Sequence, residues 1–472
     1  MPEPSTPSPP SLSFWKGVAQ ALRGEHHDYT TLPLNRAVLL LSVPMILEMI
    51  MESLFAISDI FWVSHLGKEA VAVVGLTEGV MSLVYAVAIG ISIAATAVVS
   101  RRIGEKDPVQ ASKAAGQIVL TGVLVSSGIG VVLGLFAPNI LRLMGAEEHV
   151  VAMGGNFARL MLGGNITVFM IFLINAIFRG AGDAVIAMRT LWLANFLNIV
   201  LGPCFIFGWG WFPEMGVTGA AVATNIGRGI GVLYQLWHLT RGHHQVRLHL
   251  RHLIPDVAIL RSLMSRAGTG ILQLLISTTS WVGLYKIITP FGSAALAGYT
   301  IAIRLIIFAL MPAWGLANAG ATLVGQNLGA GEPGRAEAAV KIATRFNMMF
   351  LGIVGLIYVM FCGPLVSFFS EHDAVVAAYA KQALWIISLA FPLYAAGMCL
   401  EGAFNGSGDV RTPAFLNFFC LWLGQVPIAW ILSHPVGLGP TGVFIAVPIS
   451  FSLLAVWSWM LFRRGKWKVQ KV

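Results

Sequence analysis

Runs of about 20 apolar residues, broken by short polar or Gly/Pro-rich stretches, recur from residue 37 to residue 463. Each run can carry a helix across the roughly 30 Å hydrocarbon core of a bilayer. The pattern predicts helices near 37–64, 72–99, 114–136, 150–178, 186–208, 216–240, 258–288, 295–325, 338–368, 373–404, 412–433 and 440–463. The fold class is therefore all-α and polytopic, with twelve transmembrane helices.

Composition agrees and excludes other classes. The chain has 472 residues, of which 57% are hydrophobic and 11% charged, with a mean hydropathy of +0.78. A soluble domain covers its surface with about 25% charged residues. That removes a soluble enzyme, a nucleic-acid binder and a disulfide-stapled secreted domain. Cys204, Cys362, Cys399 and Cys420 lie in or beside apolar runs without CxxC spacing, as small hydrophobes in helix packing do.

The net charge of +9 is a topology signal once each charge is placed. With the N-terminus in the cytoplasm, the inner segments hold most Lys and Arg, among them Arg101, Arg102, Lys106, Lys113, Arg241, Arg247, Arg251, Arg261, Arg266 and Lys471. The outer loops keep only Lys68, Arg142, Lys286 and Lys381. The positive-inside rule then puts both termini in the cytoplasm, and the plasma membrane is the expected location. Residues 1–36 open on a Pro/Ser-rich stretch and read as a disordered cytoplasmic N-terminus. Residues 464–472 form a basic cytoplasmic tail.

The chain repeats itself. At a shift of 225, Gly67 falls on Gly292, Gly90 on Gly315, Gly104 on Gly329 and Pro108 on Pro333. Near the same shift, F-R-G-A-G-D (178–183) meets F-N-G-S-G-D (404–409), and G-V-T-G (216–219) meets G-P-T-G (439–442). The expected domains are an N-lobe (37–240, six helices), a linker (241–258) and a C-lobe (259–463, six helices). With six spans each, the halves keep one orientation, and a substrate path is expected between them.

Ionisable residues inside spans cost roughly 2.5–3.5 kcal/mol at mid-helix and need a partner or a wet cavity. The first span carries Glu48, Glu52 and Asp59 within about 40° of one another around the helix. Such a stripe must face the lobe interior or the central cavity, where it can exchange a proton or hold a cation. Asn175, Asn198, Thr224 and Asn225 supply oxygens that could coordinate Na⁺ or steady a protonated carboxyl. At the repeat shift Glu48 becomes Gln273 and Asp59 becomes Leu284, leaving Glu401 as the main buried acid of the second half. Ion coupling is thus assigned to the N-lobe, and Glu48, Gln273 and Glu401 are candidates for lining the substrate cavity. Arg159, Arg228 and Arg304 are expected to pair with carboxylates or reach an interface.

No GxxxxGK[ST] occurs, so the energy source is expected to be an ion gradient. The two GxGD sequences put Asp183 and Asp409 at turns between spans, as helix N-caps rather than a protease pair. The chain is not expected to be an enzyme.

The stretch P-(x)14-D-I-F-W-V-S-H-L-G-(x)7-G from Pro44 through Asp59 to Gly75 resembles the first helix of multidrug and toxic compound extrusion (MATE) transporters. The paired G-x-x-x-P (104–108 and 329–333), the doubled GxGD and N-I-V-L-x-P (198–203) are similar too, and the resemblance runs from about 37 to 463. It implies a two-lobe antiporter of twelve helices that exports amphipathic, often cationic organic compounds in exchange for H⁺ or Na⁺. No cofactor beyond the coupling ion is expected, and the chain is expected to be a monomer. In the DinF-like branch, which it resembles more than the NorM-like one, coupling centres on the aspartate matching Asp59. Around it stand asparagines matching Asn175 and Asn198 and a threonine matching Thr224. The second acid of that branch, expected in N-I-V-L-D-P, is Gly202 here, with Glu52 as the candidate replacement. Ser277 and Tyr394 stand near the places of the NorM-like second-lobe acids. The rival reading is a flippase for lipid-linked oligosaccharide or lipid from the same superfamily, whose cationic cavity contrasts with the acids found here.

Overall fold

Backbone N–H and C=O groups in lipid have to be satisfied within their own segment, and this chain does so with helices. A computed structural model describes residues 14–25, 27–242, 245–369 and 373–470. The spans are α1 (Leu34–Ser64), α2 (Lys68–Gly104), α3 (Pro108–Leu143), α4 (Glu148–Ala181), α5 (Ala184–Phe207), α6 (Val217–Arg241), α7 (Val257–Phe291), α8 (Ser293–Gly329), α9 (Pro333–Ser367), α10 (Ala374–Ser388 and Phe391–Ser407), α11 (Arg411–Ser433) and α12 (Pro440–Arg463). The two pieces of α10 meet at a 56° bend, and α11 contains a π-helical stretch, Phe418–Gln425. The most polar span is α6. It holds Thr224, Asn225 and Arg228, yet its 25 residues extend about 37 Å, enough to cross.

The duplication is visible in the backbone. Gly182 and Gly408 close equivalent helices at φ 89° and 88°. Gly216 and Gly439 begin equivalent helices at φ 56°, ψ −139° and φ 57°, ψ −140°. The lobe boundary at residue 37 needs refinement, because each lobe's first helix starts in the other's core. Ala37, Val38, Leu40, Leu41 and Met45 of α1 are buried with the C-lobe. In the mirror arrangement, Leu263 and Ala267 of α7 are buried with the N-lobe.

The seam between lobes is made by glycines that allow backbones to touch. A Cβ on Gly104 of α2 would stand 2.0 Å from the Gln326 carbonyl oxygen of α8. One on Gly329 of α8 would stand 2.2 Å from the Arg101 carbonyl oxygen of α2. Deeper in, Gly90 abuts Ile271 and Gly315 abuts Met45 in the same pseudo-symmetric way. All four contacts lie in the half of the molecule nearest the chain termini. Beyond Ile46, α1 leaves the C-lobe core, and its Leu54, Ile57, Ile60 and Phe61 are exposed. The backbone contacts that close the lobes together thus lie on the termini face.

The expected disorder of residues 1–36 does not hold for the second half of that segment. Phe14–Arg23 is an amphipathic helix packed on α1 and α5, tied down by Arg36, which donates to Gln20 at 2.8 Å. Residues 1–13 lie outside the described residues, as do His243 and His244 of the linker and Lys471 of the tail. The linker is ordered against α3. Gln117 Nε2 donates to the carbonyls of His252 and Ile254, both at 2.8 Å, and Lys113 bonds Asp256 at 2.6 Å.

Candidate functional site

Helical spacing explains how α1 meets its partners. Glu48 and Glu52 are four residues apart and stack one turn above the other. On α6, Arg228 and Gln235 are seven apart and share a face, and Thr224 lies one turn beyond Arg228. The facing polar residues form layers.

In the first layer Glu48 is 1% exposed. Arg179 Nη1 of α4 donates to its Oε1 at 2.7 Å and Asn175 Nδ2 donates to the same oxygen at 3.0 Å. Gln235 Nε2 of α6 in turn donates to Asn175 Oδ1 at 2.5 Å. Glu48 is thus sealed in the N-lobe rather than lining a substrate cavity, which corrects the expectation for it. Asn175 serves this layer and makes no hydrogen bond to Asp59.

In the second layer Arg228 Nη2 donates to Glu52 Oε1 at 2.8 Å and Asn195 Nδ2 of α5 donates to Glu52 Oε2 at 3.2 Å. The Arg228 side chain is 1% exposed against 15% for Glu52. The guanidinium lies 4.9 Å from the centroid of the Phe55 ring, a favourable cation–π placement. Glu52 already has a full counter-charge, which weakens its candidacy as a second cation ligand in place of the missing acid at Gly202. Gly202 itself is buried, and a Cβ there would meet only the Trp62 ring, at 3.7 Å.

Asp59 is different. It is half-buried and, among the described residues, makes no hydrogen bond or ion pair. It lies within electrostatic range of Glu78 of α2 and of Arg228, and Glu78 feels Arg304 of α8 across the lobes. Both Glu78 and Arg304 are exposed. Asn198 and Thr224 bond each other, Nδ2 to Oγ1 at 2.8 Å, and neither bonds Asp59. The two acid–arginine pairs cancel, so the uncompensated charge of this region sits on Asp59 and Glu78 against Arg304.

The C-lobe candidates do not join this set. Gln273 is buried in α7 one turn above the Gly270–Gly90 contact. Glu401 belongs to the second piece of α10 and its Oε1 has no hydrogen-bond partner among the described residues. Among the described residues no hydrogen bond links either of them to Glu48. Of the turn aspartates, Asp409 accepts from Thr412 N at 3.3 Å and Thr412 Oγ1 at 2.7 Å in the manner of a cap. Asp183 stands at the start of α5 without a side-chain capping bond.

The sequence reading missed Arg179, Asn195, Gln235 and Glu78. Arg179 stands four residues after Asn175, a spacing that puts both on one face of α4. The polar run Thr224, Arg228, Gln235 on α6 likewise pointed to partners on α1.

The MatE family model matches residues 44–204 and 269–431, one match in each half. The chain is 26% identical over 444 residues to a probable multidrug resistance protein, YoeA, of Bacillus subtilis, covering 93% of this chain and 95% of that one. It is 28% identical over 449 residues to the probable multidrug resistance protein NorM of Thermotoga maritima, covering 93% and 94%. Among solved structures, the outward-facing conformation of a multidrug resistance MATE family transporter of the MOP superfamily superposes with a TM-score of 0.87 at 27% identity, over 93% of this chain and 98% of that one.

Proposed function

The chain belongs to the MatE family, and on that premise we propose that it is a multidrug exporter working as a cation-coupled antiporter. The observation that carries the coupling is the inequality among the acids of α1. Glu48 and Glu52 each hold an arginine, whereas Asp59, half-buried, has no hydrogen bond or ion pair among the described residues. A buried, compensated acid cannot exchange its charge cheaply, but an uncompensated one at a wet cleft can. Asp59, with Glu78 nearby, takes up H⁺ or Na⁺ from the open side and gives up an amphipathic organic cation. Neutralised, it lets the lobes rock so that the glycine seam opens and the opposite side closes.

The arrangement closed on the termini face is one end state of that cycle. With the termini in the cytoplasm of the bacterial inner membrane, it is the state that faces outward. The pseudo-symmetric start of α1 and α7 in each other's lobes supports rocking, because each lobe carries a lever of the other.

The test is dye efflux in inverted vesicles with proton and sodium gradients imposed separately, comparing wild type with Asp59→Asn at matched expression. Loss of gradient-driven efflux in the variant is expected. Full transport by Asp59→Asn would remove Asp59 from the coupling role.

A further inference from the structure

The termini face holds a cavity of about 660 Å³, within the size range of small-molecule sites. It is walled by the segment before α1, the α2–α3 turn, the linker and, across the seam, Gln326 of α8. Three cations line it: Lys106, Arg247 and Arg251, all exposed. Neither guanidinium makes a side-chain hydrogen bond or ion pair among the described residues. Among the described residues the one ion pair these three make is Lys106 with Asp28, at 3.8 Å, so the cluster is under-neutralised. His252, beneath them, is held below its ordinary range by burial and then by Arg251 and His249, and therefore adds no charge at neutral pH.

The cluster is built rather than draped. Arg247 N donates to Ser112 Oγ at 3.0 Å. Asp256 N donates to Gln117 Oε1 at 2.9 Å. Gly116 allows α3 so close that a Cβ there would stand 2.3 Å from the His252 carbonyl oxygen. These contacts fix the linker backbone before any ligand arrives, which reduces the ordering cost of binding.

A second observation comes from comparing the two copies of the repeat. Lys106 is the one non-glycine at positive φ among the described residues, at 57°. Its counterpart in the second half is Gly331, at φ 77°, in a turn of the same shape. Glycine reaches that conformation freely, whereas a side chain there costs of order 1 kcal/mol or more. The first copy keeps an ammonium where its own duplicate has the easier residue, and that ammonium lies at the cavity.

We propose that this cavity binds a phosphate-bearing anion. Two free guanidiniums suit bidentate contact with phosphate oxygens, and an ammonium adds a point charge. The phosphate could belong to a soluble phosphorylated molecule or to an anionic lipid headgroup at the membrane surface.

The test uses the full-length protein in phosphatidylcholine nanodiscs, titrated with pyrophosphate by calorimetry. A parallel arm asks whether phosphatidylglycerol is retained after exchange from mixed lipid, read by native mass spectrometry. Saturable one-to-one binding in either arm is expected, the first naming a soluble anion and the second a headgroup. Arg251→Ala and Lys106→Gly should each weaken it by about tenfold or more, the scale of one charge-assisted hydrogen bond. Lys106→Gly preserves the fold, since Gly331 already occupies the same turn in the second copy. Arg261→Ala, a nearby cation outside the cavity, should leave binding unchanged. The proposal is overturned if neither pyrophosphate nor phosphatidylglycerol is held, or if Arg261→Ala weakens binding as much as Arg251→Ala does.

Discussion

Replacing Glu52 with Gln removes the counter-charge of a guanidinium that is 1% exposed and bonded to it at 2.8 Å. Breaking a buried pair by deleting one partner costs about 3–5 kcal/mol, because the remaining charge is stranded. Glu52→Gln belongs in that range, since Arg228 has no route to water. Arg228→Met should cost less, near the low end, because Glu52 retains 15% exposure and can recruit water. The double variant Glu52→Gln/Arg228→Met strands nothing and keeps nearly the same volume, so it should return to within about 1–2 kcal/mol of wild type, as apolar replacements of buried pairs do. The coupling energy from the cycle is then about 4–7 kcal/mol, roughly a thousandfold to a hundred-thousandfold in the unfolding equilibrium. Reversible unfolding of the four proteins in mixed detergent micelles measures it. Additive effects within about 0.5 kcal/mol would refute the claim that these two residues hold one another. The double variant should also keep gradient-driven efflux, because the pair is neutral in either form; loss of efflux with intact stability would place Glu52 among the coupling groups after all.

Other consequences are as direct. Gly104→Ala or Gly329→Ala puts a methyl group about 2 Å from a carbonyl oxygen of the other lobe, an overpacking of about 1–3 kcal/mol. Either should hold the termini face apart by a 5- to 150-fold shift in population, seen as a longer spin-label distance across the seam; an unchanged distance distribution contradicts it. Thr224→Val removes the acceptor of the buried Asn198 amide, a loss of about 1–3 kcal/mol in the same unfolding assay. Asp256 is held below the ordinary carboxylate range, first by the bond from Lys113 and then by the Ile259 backbone N–H. A depressed folded value means its docking contribution is complete above the unfolded pKa of about 4 and is lost as pH falls through the lower folded value. Hydrogen exchange over 245–256 should therefore stay slow from neutrality down to about pH 4, whereas Asp256→Asn should speed it already at pH 7.

The fold was readable because lipid leaves few choices. Eleven of the twelve spans announce themselves by length and apolarity, counting bent α10 as one. The sixth, α6, is the least apolar of the twelve, since Arg228 and its neighbours lower its hydropathy. The seam glycines were visible as repeat matches, but nothing in spacing says that Gly104 touches α8. The acids of α1 were legible as a stripe, and their division of labour was not. That division depends on Arg179 and Arg228, which come from helices 131 and 176 residues away from their partners. One-dimensional periodicity places a residue on a face but does not identify what that face meets. For the same reason Glu48, Gln273 and Glu401 looked like one set through the repeat, although the first is locked in a pair and the others lie in the other lobe.

The separation of 176 residues between Glu52 and Arg228 also sets a schedule for biogenesis. At about 5–20 residues per second, a ribosome delivers Arg228 roughly 9–35 s after Glu52. Through that interval Glu52 of α1 has no counter-ion, although Glu48 gains Arg179 earlier, and α6 then brings a cation that lipid would reject alone. The first lobe must therefore be assembled as a set, with early helices held at the insertion site until the sixth emerges. Chains cut short before residue 228 would present quality-control proteases with a stranded carboxylate, a mark of incompleteness written into the helix itself.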